Sequence, residues 1–138
     1  IWSLEADFAW TDSQFNHRAS EGNDIPGALG TVISTTLSAQ FPSGWFGSLR
    51  IRYLGNAPLT ENGSVQASST LLSHLSAGWS GKRYALRADI LNLLNSDDQD
   101  IAYYYASRLA DEPLAGVNDR HFHTFEPRQV RLTISLTL

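Results

Sequence analysis

The stretch WSLEADFAWT, residues 2–11, decides the fold class of this chain. Apolar side chains occupy the even positions from Trp2 to Trp10, and Ser3, Glu5 and Asp7 take odd ones. Successive side chains of a β-strand point to opposite faces, so this alternation predicts a strand with one apolar and one polar face. An apolar face with tryptophan at both ends is typical of a strand that crosses a bilayer.

Five further stretches alternate in the same way. With the first they predict an all-β chain of six antiparallel strands at residues 2–12, 29–41, 44–54, 70–80, 83–94 and 128–138. Short turns are predicted at Pro42-Ser43 and Gly81-Lys82, and long loops at residues 13–28, 55–69 and 95–127. Outer-membrane barrels alternate short periplasmic turns with long outer loops in this manner.

The large rings share the apolar parity of these strands. Six are predicted to lie at the membrane interface: Trp2, Trp10, Trp45, Tyr53, Trp79 and Tyr84. A span of about eight residues between two rings, at roughly 3.3 Å each and a tilt of about 40°, rises about 20 Å, close to the apolar band of such barrels. The opposite parity carries the ionisable side chains Glu5, Asp7, Arg50, Arg52, His74, Arg83, Arg87, Asp89 and Arg131. These groups suit a wet barrel interior better than a dry core.

Composition excludes several classes of protein. A net charge of −4 without a basic run argues against a nucleic-acid partner. The absence of cysteine excludes disulfides and cysteine-based metal sites. No group of nucleophile, base and orienting residue is recognisable, so we expect neither an enzyme nor a cofactor. The chain begins inside a strand pattern at Ile1-Trp2, which favours a fragment of a longer protein.

Three stretches near the end of the chain carry a family resemblance. They are DILNLLN at residues 89–95, DIAYYYASRL at 100–109 with HFH at 121–123, and EPR at 126–128. On these residues the chain resembles the C-terminal strands of TonB-dependent outer-membrane receptors. Weaker likeness at residues 25–28 and 45–50 extends the resemblance over residues 1–138. The resemblance therefore implies one partial barrel domain, without the plug and the remaining strands of the receptor.

The resemblance implies a place in the bacterial outer membrane and a role in active import. Such receptors have a 22-stranded barrel, of which this chain would supply the last six strands. They take up scarce nutrients such as siderophore–iron complexes, haem or cobalamin, and TonB supplies the energy through the N-terminal region. The implied partners are therefore outer-membrane lipid, the TonB complex and a small-molecule nutrient or metal chelate. One departure is Leu138, which stands where these barrels usually end in an aromatic residue that the assembly machinery recognises.

The last long loop holds the candidate ligand contacts, which are Tyr103, Tyr104, Tyr105 and Arg108. The tyrosines could stack on a ligand or anchor the loop to the barrel rim, and we favour the anchor. His121 and His123 are weak candidates for metal ligands, and Asp119 and His17 could add further ligands to the same site. The commoner alternative is that these loop histidines are hydrogen-bonded to neighbouring groups and bind no metal. A calcium-type cluster at Asp97, Asp98 and Asp100 lacks the glycine and closing glutamate of an EF-hand.

Two alternative classes remain open from the sequence. A soluble β-sandwich or a lipocalin-like binding module would also alternate, with its apolar residues turned towards a core. Rings at the ends of strands, rather than in the middle, argue against it. An outer-membrane enzyme barrel would need a partnered catalytic group on the polar parity near a rim, and the sequence offers none.

Overall fold

The computed structural model describes residues 1–137 of the chain, without the side chains of residues 17–19. Within this range the chain forms twelve β-strands. They are β1 (Trp2–Trp10), β2 (Gln14–Ala19), β3 (Gly22–Asp24), β4 (Thr31–Gln40), β5 (Trp45–Leu54), β6 (Ala57–Pro58), β7 (Gln66–Ala67), β8 (Thr70–Ser80), β9 (Tyr84–Leu91), β10 (Gln99–Ser107), β11 (Val117–Thr124) and β12 (Gln129–Leu136). None of the described residues forms a helix that is long and apolar enough to cross a membrane. The all-β prediction is confirmed.

Six long strands form one antiparallel sheet in the order β1-β4-β5-β8-β9-β12. These are the six predicted strands, and β8 has the predicted bounds. The others are shorter by one to three residues at an end. The largest difference is in β9, which ends at Leu91 because Asn92 turns the chain with a φ of 50°. Leu138, the unusual final residue, lies outside the described residues.

The register of the sheet places the two parities on two faces. Leu37 pairs with Leu49, and Leu49 pairs on its other side with Leu75. Directly paired residues of an antiparallel sheet point to the same side, so the apolar set of every strand lies on one face. The tight turns hold this register: the Phe41 N–H donates to the Trp45 carbonyl at 2.8 Å, and Gly81 does so to Tyr84 at 2.8 Å.

The three long connections were predicted as loops, and this was wrong in part. Each contains a two-stranded sheet, formed by β2 with β3, β6 with β7, and β10 with β11. The longest is the β10–β11 hairpin, whose turn ends at Gly116 with a φ of 76°. Its first strand, QDIAYYYAS, is rich in aromatic residues that favour extended backbone. Pairing also satisfies backbone N–H and C=O groups that a long irregular loop would leave without partners.

Close packing is concentrated at the long-loop end of the sheet. The buried apolar side chains among the described residues are Ala57, Leu59 and Leu72, and buried Thr70 and Asn92 lie with them at this end. Over the remaining length of the six-stranded sheet no second layer of the described chain covers either face. The hairpins therefore enclose space only near one end, and this positions the candidate site.

Candidate functional site

The apolar face of the sheet is open and carries no charged side chain between its two ends. Phe8 is 69% exposed, Leu132 71% and Ile134 76%. Isolated apolar residues are normal on a protein surface, but a contiguous apolar sheet face exceeds what soluble monomers usually expose. We therefore expect this face to be covered by an apolar neighbour, either lipid or another protein surface.

The predicted interface rings lie at the two ends of this apolar face. At the short-turn end Trp45 pairs directly with Trp79, whose indole N–H donates to the Ser43 carbonyl at 3.0 Å. The Trp2 ring meets Phe41 edge to face, with centroids 6.2 Å apart. Tyr84, Trp10 and Tyr53 complete the set, with Tyr84 at the short-turn end and the other two at the long-loop end. The register thus gathers six rings from four strands into two rows.

The polar face contains a row of side chains that crosses all six strands. Successive register partners along this row are Ser3, Ser38, Ser48, Ser76, Asp89 and Arg131. The Ser3 and Ser38 hydroxyls lie 2.7 Å apart and share a hydrogen bond. Such a row of hydroxyl and charged groups keeps its hydrogen-bonding capacity only against water or another polar surface.

An ion pair is built into this polar row. Arg87 binds the Asp89 carboxylate through Nε, at 2.8 and 3.0 Å from its two oxygens, and through Nη2 at 2.7 Å. The Ser76 hydroxyl also donates to Asp89. The Arg87 side chain remains 53% exposed, so the pair has one partner in contact with solvent. The carboxylate is well satisfied, which identifies it as part of the surface framework and not as a free acid or base.

The motif at residues 89–95 has a structural explanation in two asparagines with positive φ. Asn92 is 3% exposed, and its side-chain amide donates to the carbonyls of Ser96 and Glu126 at 2.8 and 2.9 Å. Its oxygen accepts from the Ser96 N–H at 2.8 Å. The Asn95 oxygen accepts from the Arg128 N–H at 2.9 Å. Asparagine tolerates the left-handed conformation, and these two residues join the exit of β9 to the entrance of β12.

The histidines of the last long loop lie on one face of β11, as the sequence predicted for an extended segment. The two imidazoles contact different partners. The His121 imidazole stacks on the Tyr105 ring with centroids 4.0 Å apart, and His123 Nδ1 lies 3.0 Å from the Asp100 carboxylate. Within the described residues no three metal-ligating side chains come together. The side chain of His17, the suggested additional ligand, lies outside the described residues.

The aspartates proposed as a calcium-type cluster have separate partners. Asp98 accepts from the Leu71 N–H at 3.0 Å, while Asp100 bonds to His123. Asp119 accepts from the Arg120 backbone N–H at 2.7 Å. The contacts of Asp98 and Asp100 fasten the β10–β11 hairpin and its junction with β8, and among the described side chains the structure brings together neither this cluster nor the one around His121.

The four ligand-loop candidates have different surroundings. Arg108 donates from Nε to the Glu112 carbonyl at 3.1 Å, so it helps to close the hairpin turn. The tyrosines lie on β10, where alternation places Tyr104 on the opposite face from Tyr103 and Tyr105. All three contribute to the wall of a cleft at the long-loop end. A hydrogen bond of 3.4 Å from Arg120 to the Gln66 carbonyl ties this hairpin to β7.

The cleft has a volume of about 370 Å³. Its wall combines β10 with the segments that precede β4, follow β5 and precede β8, and includes Leu29, Leu54, Ala57, Leu59 and Tyr104. Sequence reasoning missed the aliphatic members. Leu59 lies in the predicted loop at residues 55–69, where an aliphatic side chain indicates a buried position, whereas Leu29 and Leu54 were placed at the ends of predicted strands.

Sequence reasoning also overlooked Phe46, an aromatic residue on the polar face of β5. Its ring lies against Gly78 of the neighbouring strand, where an added Cβ would approach the ring and the Leu86 carbonyl. The pair therefore fills one position of the polar face with an aromatic ring over a glycine.

Comparison with family models, with curated proteins and with solved structures finds no match to this chain. The similarity to TonB-dependent receptors, which rests on the motifs quoted above, thus stays a prediction. The two faces of the sheet and the cleft at its loop end are the features from which a function can be argued.

Proposed function

We propose that this chain is part of the wall of an outer-membrane β-barrel, with its apolar face against lipid and its polar face towards a water-filled interior. The observation that carries the proposal is the uncharged apolar face of the six-stranded sheet, which includes many exposed side chains and is bordered by aromatic rings at both ends. Transmembrane barrels have an apolar outer band flanked by two aromatic girdles, and alternate residues face the interior.

The distance between the two ring rows supports this proposal. Trp45 and Tyr53 stand at opposite ends of the apolar side of β5, eight residues apart. At roughly 3.3 Å per residue and a tilt of about 40°, the rows are about 20 Å apart along the membrane normal. The apolar band of outer-membrane barrels is about 25 Å tall, so rings at this spacing fall at its margins.

The polar face supports the other half of the proposal. Its central row, from Ser3 to Arg131, has either a hydroxyl or a charged group on every strand. In lipid the hydrogen-bonding capacity that these groups do not use among themselves would be unsatisfied, at a cost of several kcal/mol for each group left without a partner, whereas water or a polar plug satisfies it. The two faces therefore fit opposite environments.

The biochemical role that we propose is energised import of a scarce nutrient, as part of a TonB-dependent receptor. It rests on the receptor-like motifs at residues 89–95, 100–109 and 126–128 and on the cleft at the long-loop end, where an external ligand would arrive. On this proposal the partners are outer-membrane lipid, the TonB complex and a small-molecule nutrient.

A candidate nutrient identified by growth or uptake should no longer be imported when either the gene of this protein or TonB is deleted. Import that persists without TonB contradicts the energised mechanism.

The membrane placement is tested with tryptophan quenching by brominated lipid. One variant keeps Trp45 and has phenylalanine at the other three tryptophans. The matched variant carries Trp45→Phe with Phe46→Trp, which moves the single reporter by one residue to the polar face. In brominated vesicles the first reporter should lose most of its fluorescence and the second should lose little. Equal quenching of the two, or no quenching of Trp45, contradicts the proposal.

A soluble β-sandwich or lipocalin-like module gives the opposite outcome. Such a module would bury the tryptophans under a second layer, and the protein would be monomeric in buffer without detergent. In the described residues Trp2, Trp10 and Trp45 are 66%, 69% and 59% exposed, which favours the membrane proposal over the soluble one.

A further inference from the structure

The cleft at the long-loop end has a distinctive chemistry. Its aliphatic wall is formed by Leu29, Leu54, Ala57 and Leu59, and Tyr104 adds an aromatic ring. Small-molecule sites are typically concave and mostly apolar, with volumes of about 300–1,000 Å³, and this cleft of about 370 Å³ falls in that range. Its lining therefore favours an apolar ligand group.

The charge of the lining restricts the ligand further. Among the described residues that line the cleft there is no arginine, lysine or histidine. The one charged member is Asp100, whose carboxylate is held by His123 at 3.0 Å. Carboxylate and phosphate groups of ligands are recognised by cationic side chains or by converging N–H donors, and an unpaired charge in an apolar site is strongly disfavoured. A negatively charged group would therefore find no counter-charge in this cleft.

The size of the cleft indicates how much of a ligand it holds. An apolar cavity of about 150 Å³ accepts one benzene ring. A space of about 370 Å³ therefore accommodates about two or three fused rings. The hydroxyl-bearing residues Ser68 and Thr70 also line the cleft and are suited to hydrogen bonds with a neutral polar substituent.

We infer that the cleft binds a neutral, largely apolar ring system of about two or three rings, either as a free molecule or as the uncharged part of a larger nutrient. The inference rests on the proposed function, because it assigns the ligand chemistry of the same receptor. It implies that haem propionates or the anionic groups of an iron chelate are not what enters this cleft.

Two probes of the same ring size but different charge test the inference. 2-Naphthol is neutral at pH 7, and 2-naphthoate carries a carboxylate. Binding of each to the purified full-length protein in detergent is measured by equilibrium dialysis, with the uptake by protein-free micelles subtracted. We expect 2-naphthol to bind at least tenfold more tightly than 2-naphthoate. The absence of 2-naphthol binding, or equal or tighter binding of 2-naphthoate, overturns the inference.

Adjacent serines supply matched variants for locating the binding site. Ser68 and Ser69 are both exposed, but only Ser68 lines the cleft. Ser68→Trp should weaken 2-naphthol binding at least tenfold by filling the space, while Ser69→Trp should change it less than twofold. Ser68→Arg should narrow the difference between the two probes by supplying a counter-charge. Equal effects of the two tryptophan variants, or an unchanged probe preference in Ser68→Arg, contradict the assigned position.

The quenching of Trp45 by brominated lipid is measured in the variant that keeps Trp45 as its single tryptophan, with and without Ser68→Arg, which adds no second reporter. A loss of naphthol binding with retained quenching shows that the barrel wall is folded and that only the cleft is affected. If naphthol fails to bind while Trp45 is quenched, the ligand class is wrong and the membrane placement stands. If Trp45 is not quenched, the proposed function itself fails.

Discussion

Leu49→Arg is the substitution that most directly tests what covers the apolar face. Leu49 is four residues from Trp45 and four from Tyr53, so it lies midway between the two ring rows. Its register partners are Leu37 and Leu75, and both point to the same face. A guanidinium at this position would be about 10 Å from either membrane surface, half of the spacing of about 20 Å between the rows.

The expected effect follows from the depth of this position. An arginine on the lipid face of an outer-membrane barrel costs about 2–4 kcal/mol at the midplane and about 0–1 near the interfaces. Leu49→Arg should therefore lower the free energy of unfolding by about 2–4 kcal/mol, a factor of roughly 30 to 1,000 in the unfolding equilibrium constant. The long arginine side chain can extend part of the way towards the interface, so we expect the loss of stability to fall in the lower half of this range.

Ser48→Arg is the matched control, because Ser48 precedes Leu49 and points to the polar face between Ser38 and Ser76. We expect this variant to change stability by no more than about 0.5 kcal/mol, as substitutions at hydrated positions usually do. Both variants are unfolded with guanidinium chloride in phospholipid vesicles, and tryptophan fluorescence follows the transition. Equal losses of stability in the two variants, or a larger loss for Ser48→Arg, would refute the assignment of lipid to the apolar face.

Three further outcomes follow from individual contacts. Asn92→Ala should lower stability by about 2–4 kcal/mol, because it leaves the Glu126 carbonyl without its side-chain donor and forces alanine into a positive φ; thermal unfolding measures this loss. Gly78→Ala should lower the free energy of unfolding by about 1–3 kcal/mol through overpacking. Adding Phe46→Ala should recover only part of this loss, because the new Cβ also meets the Leu86 backbone; the denaturant midpoints of the single and double variants measure the difference. His123→Ala should cost no more than about 0.5 kcal/mol in the same denaturation assay, because its contact with a carboxylate is exposed, and a larger loss would indicate a further role for this imidazole.

Much of the sheet could be predicted because its alternation has a period of two and each strand presents one apolar face. A register error of one residue would turn every side chain to the wrong face, so the pattern specifies the pairing strongly. Trp45 and Trp79 could be assigned to one ring row before their direct pairing was known. The same argument failed in the long connections, since β2, β6 and β7 are short and do not alternate over enough residues to be recognised.

The candidate site was less predictable for a different physical reason. The cleft brings Leu29, Leu59 and Tyr104 together from connections that are distant in sequence, and periodicity says nothing about how such segments meet. The separate partners of His121 and Asp100 were unpredictable for a related reason, because the contacts of such side chains depend on their relative orientation. The stack of Tyr105 on His121 was indicated neither by spacing nor by composition.

The two outer edges of the sheet have a consequence for the proposed place in a membrane. Strands β1 and β12 each pair on one side only within the described residues, so their outer edges present unpaired N–H and C=O groups. In lipid each such group costs several kcal/mol, and open edges of this length are not viable there. Because the six strands alternate in direction, β1 and β12 run antiparallel to each other. An even number of additional antiparallel strands would therefore close the wall with every edge paired, which is the arrangement that the receptor-like motifs imply.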